Sequence, residues 1–148
     1  MEQMELEERL DVEWLIVADG AQVSNGKLYV LGGGWDVLTL PAPLPVQHKL
    51  AIACAIKVPW TETNSGHQFR IRIEHEDGQL LGEVGGAFEV GRAPGLVRGQ
   101  PQRAQLAFDV GLPLEKQGMY SVVASVDGED IKRTWFRVVQ AGVPALPA

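Results

Sequence analysis

Apolar and polar residues alternate with a period of two along most of this chain, and no helical period of useful length follows its first ten residues. The alternation is clearest from His67, where His67, Phe69, Ile71, Ile73 and His75 fall on one side and Gln68, Arg70, Arg72, Glu74 and Glu76 on the other. That pattern predicts a half-buried strand, and Asp77-Gly78 predicts the turn that reverses it. From His48 to Val58 a second strand directs Leu50, Ile52, Cys54, Ile56 and Val58 towards a core and Ala51, Ala53, Ala55 and Lys57 away from it, where the small alanines sit under another element or form a flat contact surface. Trp14 to Ala18 is a short continuous apolar run, which predicts a strand covered on both faces and broken by Asp19-Gly20. Ser24-Asn25-Gly26 predicts a turn into a strand from Lys27 to Leu31.

Gly32 to Gly34 predict a bulge or bend before a strand at Val37 to Leu40, and Pro41, Pro43 and Pro45 predict an extended segment crossing between two sheets. Leu80 to Glu83 and Ala87 to Val90 read as one strand with a bulge at Gly85-Gly86. Residues 91–101 form the longest irregular stretch. Ala104, Leu106, Phe108 and Val110 then point inward, a turn spans Gly111 to Gly118, and Tyr120, Val122, Ala124 and Val126 form another inward face. Asp127-Gly128 predicts a hairpin into a last strand, Ile131 to Val139, with Phe136 and Val138 inward and Arg133, Trp135 and Arg137 outward. Eight or nine such strands predict an all-β chain, a single-domain antiparallel β-sandwich of immunoglobulin-like or jelly-roll-like type over residues 11–140, with an open meander or barrel as the alternative. Residues 1–10 read as an acidic N-terminal arm and 141–148 as a flexible C-terminal tail.

At 148 residues, 45% hydrophobic and 22% charged, the chain has the size and balance of one globular domain. Its net charge of -6 and lack of clustered Lys and Arg argue against a nucleic-acid partner. The acidic start is unlike a signal peptide, and no apolar run approaches the ~20 residues of a membrane helix, so no membrane insertion and a cytoplasmic location are expected. The single cysteine, Cys54, sits in an apolar alternation and reads as a buried core thiol.

If each strand runs antiparallel to the one before it, the loops 59–66 and 91–101 and the Asp127-Gly128 turn share one end. That end gathers Trp60, Glu62, Asn64, His67, Arg92, Arg98, Asp127, Glu129 and Asp130. The leading reading is a non-enzymatic protein-binding or structural assembly module, with Trp60 as aromatic anchor and Arg92 and Arg98 as polar partners. Self-association is the companion expectation, through the Ala51/Ala53/Ala55 face or the Arg133/Trp135/Arg137 face. A calcium-dependent module would use Glu62, Asn64, Asp127, Glu129 and Asp130, although no compact calcium-loop series is present. A hydrolase would use His67 as base with Glu62 or Asp130 orienting it, although no nucleophile motif accompanies it. His67 and His75 lie about 26 Å apart along one strand, too far to share a zinc ion, and no metal or cofactor is expected.

The closing stretch GMYSVVASVDGEDIKRTWFRV resembles the last hairpin of immunoglobulin-like bacterial domains, in which Gly-x-Tyr opens a strand, Asp-Gly turns it and Phe-x-Val closes it. The wider pattern, ADGAQVSNGKLYVLGGGWD with PWTETNSGH and EVGRAPG, is similar to an uncharacterised family of small bacterial proteins, a domain of unknown function. The resemblance implies a bacterial source and no known activity, and it carries no functional residue across.

Overall fold

The structure is a computed structural model that describes residues 9–41 and 43–141. The segments read as an acidic arm and a flexible tail therefore lie, except for Arg9, Leu10 and Ala141, outside the described residues. Nine strands follow in order: β1 (Asp11–Ser24), β2 (Lys27–Gly33), β3 (Val37–Leu40), β4 (Val46–Val58), β5 (Gly66–His75), β6 (Leu80–Glu89), β7 (Gln102–Leu114), β8 (Gly118–Val126) and β9 (Glu129–Gln140). A 3-10 turn, Trp60–Glu62, joins β4 to β5. The strands make two sheets, in the orders β2-β1-β4-β7 and β3-β9-β8-β5-β6. The chain is all-β, as the two-residue period predicts. No described helix is long and apolar enough to cross a membrane.

The two sheets share one core. Leu50, Ile52, Cys54 and Ile56 of β4 meet Phe69, Ile71 and Ile73 of β5 and Tyr120, Val122 and Phe136 of β8 and β9 in a single buried cluster. Tyr120 stacks on Phe136 with centroids 5.3 Å apart, and its hydroxyl donates to the Lys116 carbonyl at 2.6 Å. The one polar atom of a fully buried ring is thereby satisfied. Burial pushes the Cys54 thiol up to about 12, which makes it an inert core group.

Five expectations are corrected. The strands are not all antiparallel: β3 runs parallel to β9, from Val37↔Arg137 to Leu40↔Gln140. The chain reaches β3 from β2 in the other sheet and returns to that sheet at β4, so no hairpin dictates an antiparallel approach. The Gly111 to Gly118 turn is shorter than predicted, because β7 continues to Leu114 and buries Leu112 and Leu114. No bulge occurs at Gly85-Gly86, where β6 pairs β5 in unbroken register as Arg70↔Gly85 and Phe69↔Gly86. Gly85 is instead a close-approach residue, since a Cβ there would stand 2.4 Å from the Phe69 carbonyl oxygen.

The fourth correction concerns Ala51, Ala53 and Ala55, which are fully buried and offer no contact face. β1 does not stop at Asp19-Gly20, but it pairs with β4 only as far as Ala18↔Ala51. Beyond that point, among the described residues, β1 and β2 pair only with each other, through the turn at Asn25-Gly26. There Gln105 Nε2 of β7 donates to the Gly26 carbonyl at 3.0 Å. β7 lies across β4 from β1, so the β1–β2 hairpin must fold back over the outer face of its own sheet. The alanines lie beneath it, and their small side chains leave room for it.

Candidate functional site

The loop 59–66, the loop after β6 and the β8–β9 turn meet at one end of the molecule. Pro59 precedes the 3-10 turn, Thr63 leaves it in an extended conformation, and Asn64 takes a left-handed conformation with φ 57°. Asn64 N–H donates to the Val90 carbonyl at 2.8 Å, which ties this loop to the start of 91–101. Arg92 then lies over Trp60, its guanidinium carbon 3.7 Å from the ring centroid. Its Nε donates to Thr63 Oγ1 at 2.8 Å, and its Nη2 to the Trp60 carbonyl at 3.2 Å. Thr63 Oγ1 donates in turn to the Trp60 carbonyl at 2.6 Å.

His67 joins the loop to the hairpin. Its Nδ1 is 2.8 Å from Asp127 Oδ2, and its Nε2 is 2.9 Å from the Glu62 carbonyl oxygen. The Glu62 carboxylate stands 3.7 Å from Nε2, and Phe88 packs on the ring at 5.4 Å. Both nitrogens face acceptors, so the doubly protonated ring satisfies both bonds and keeps no lone pair for a substrate. Burial works against that charge, but the Glu62 carbonyl and then the Asp127 carboxylate outweigh it and raise the His67 pKa. Asp127 also accepts from Gln68 N–H at 2.8 Å. That bond first, and then His67, hold its carboxyl below the usual carboxylate range.

Of the residues singled out in the sequence, Trp60, Glu62, Asn64, His67, Arg92 and Asp127 come together here. Arg98 lies exposed in the interior of its loop, and no hydrogen bond or ion pair among the described residues joins it to the others. Trp135 stands elsewhere, 49% exposed on the outer face of β9. Asp130 belongs to another network, in which Arg72 donates to both of its oxygens at 2.9 and 3.1 Å and Ser125 donates at 2.6 Å. Among the described residues no group of three His, Cys, Asp or Glu side chains is placed to hold a metal ion. Thr63 escaped the sequence reading because a threonine in a polar loop carries no pattern. Phe88 read only as part of a strand.

A shallow cleft of about 630 Å³ runs beside this cluster, walled by Asp11, Glu62, Asp127, Glu129 and Asp130 with Arg9 at its side. A second depression, about 690 Å³, lies over Arg70, Arg72 and Glu83 on the outer face of the second sheet. Its arginines are already paired, Arg70 with Glu83 and Arg72 with Asp130.

A model of the family described as "Family of unknown function (DUF6941)" matches residues 13–139. No curated protein matches the sequence. Among solved structures, a Pseudomonas fluorescens alkylpurine DNA glycosylase bound to abasic-site DNA aligns at 10% identity and a TM-score of 0.43, over 88% of this chain and 30% of that one. A Listeria innocua beta-glucosidase in complex with glucose aligns at 10% identity and 0.45, over 88% of this chain and 16% of that one. This chain thus spans less than a third of either structure.

Proposed function

The chain belongs to the DUF6941 family of unknown function, and we propose that it is a non-enzymatic protein-binding module presenting the loops at one end of an immunoglobulin-like β-sandwich. Two features support that frame. The orders β1-β4-β7 and β9-β8-β5-β6 follow the A-B-E and G-F-C-C′ strand orders of such domains. The bond from the Tyr120 hydroxyl to the Lys116 carbonyl, at the entry to β8, has the form of their tyrosine corner. In that frame the loops 59–66 and 127–128 correspond to the B–C and F–G loops, two of the three that bind in variable domains.

The observation that carries the reading is the Trp60–Arg92 stack, held in place by Thr63 and the Trp60 carbonyl. Trp and Arg are the residue types that dominate protein–protein hot spots, and a pair already fixed in the free protein loses little freedom on binding. The acidic cleft alongside favours a partner segment with basic side chains. The test is affinity capture from source cells with the wild type, a Trp60→Ala/Arg92→Ala variant and a Trp135→Ala variant. A partner lost with the loop-end variant, kept with Trp135→Ala and weakened by salt is expected. A partner kept by the loop-end variant would overturn the reading.

A further inference from the structure

The first sheet ends in β7, which pairs with β4 from Val58↔Gln102 to Val46↔Leu114. Among the described residues no strand pairs with its other side. An open edge of this length is a template for another strand. Along its core-facing side, Val110, Leu112 and Leu114 are buried, but Ala104, Leu106 and Phe108 are only half-buried. Beside Leu106 and Phe108 an apolar cleft of about 110 Å³ opens towards Phe88 and the Gly85-Gly86 main chain. The outer face of the same stretch carries Arg103 and Asp109, placed symmetrically about Leu106, with side chains 56% and 59% exposed. In the single chain Glu13 of β1 holds the Arg103 guanidinium along the face, with bonds of 2.7 and 2.9 Å, and Lys49 of β4 lies 3.7 Å from Asp109, so each charge would share its present partner with the second copy.

We propose that β7 pairs antiparallel with β7 of a second copy of this chain, about a two-fold axis at Leu106. Directly opposed residues of an antiparallel pair share a face, so this register sets Arg103 against Asp109 of the second copy, and the symmetry repeats the pairing. It also sets Ala104 against Phe108, small against large, and Leu106 against itself over the half-buried stretch. The other sheet edges lack this self-complementarity. β6 carries only the like charges Glu83 and Glu89, β2 carries only Lys27, and β3 has four residues and no charge. The pairing uses none of the loop-end residues and stands apart from the partner reading above.

Sedimentation equilibrium from low to high micromolar concentration tests it, with a dimer that grows with concentration as the expected result. Arg103→Asp alone and Asp109→Arg alone each set like charges face to face, and each is expected to weaken the dimer by roughly tenfold or more. Mixing the two variants opposes unlike charges again at both positions and restores a mixed dimer. Amide hydrogen exchange on the unmodified chain gives a reading that needs no variant: β7 amides slow as concentration rises. A wild type that stays monomeric, single variants that dimerise as well as the wild type, a mixture that fails to recover, or β7 exchange independent of concentration each overturns the proposal.

Discussion

His67 shows how one side chain can hold three segments together. It is 4% exposed, and its ring bonds reach the 3-10 turn through the Glu62 carbonyl and the β8–β9 turn through Asp127. Both bonds are strongest when the ring is charged, and its folded pKa is raised above the ordinary histidine value of about 6.5. A raised folded pKa means the folded state binds the proton more tightly than the unfolded chain does. The stabilisation is therefore complete below about pH 6.5 and is lost as pH rises through the raised value. Urea unfolding from about pH 6 to about pH 9 should show stability falling with pH, and His67→Gln should remove that slope. Parallel slopes in the two proteins would assign the loss to other groups. Asp127 acts in the opposite direction. Its depressed pKa adds stability that is present above the normal carboxylate range and disappears as pH falls through the folded value.

At the scale of elements, the period of two sufficed for β5, β8 and the core side of β4, because alternation is local and one buried face is enough to generate it. It could not say which strands are neighbours, since β1 with β4, β4 with β7 and β5 with β8 are partners distant in sequence. The alanines at 51, 53 and 55 left room in the sequence for a covering element or a contact face, but that the cover is the folded-over hairpin was not legible for the same reason. Ala53→Leu should lift the hairpin, cost about 1–3 kcal/mol in urea unfolding and speed tryptic cleavage after Lys27. The glycine pair divides similarly. Gly85→Ala drives a Cβ into the β5 main chain and should cost about 1–3 kcal/mol, whereas a Cβ at Gly86 meets nothing within 4 Å, so Gly86→Ala should be neutral or slightly stabilising. Equal effects at the two positions would mean that β5 can withdraw from β6 without penalty.

At the scale of the whole molecule, the gathering of the loops at one end was legible because it depends only on strand direction. β4 leads up to Trp60, β6 returns to Val90 and β8 to Asp127, whatever the neighbours of each strand. What direction could not supply was the detail that makes a site, namely which of two arginines in one loop turns inward. Arg92 lies two residues beyond Val90, which Asn64 ties down, and is drawn onto Trp60, while Arg98 lies further out on the loop. A molecule with one shared core should open as a unit, and Cys54 can report that opening. It lies fully buried on β4 between β1 and β7 with its thiol pushed up to about 12, so reagent reaches it only when the sheets separate. Labelling of the native protein should then follow the global unfolding equilibrium. Phe136→Ala, which empties the centre of the core, should cost about 3–5 kcal/mol and accelerate labelling by about a hundredfold or more. Arg92→Ala should leave the rate unchanged, because the loop end lies outside the core. If β7 pairs with a second copy, wild-type labelling should also slow as protein concentration rises, since association stabilises the folded state by mass action. Labelling that Phe136→Ala leaves unchanged would show that the first sheet opens locally, without the second.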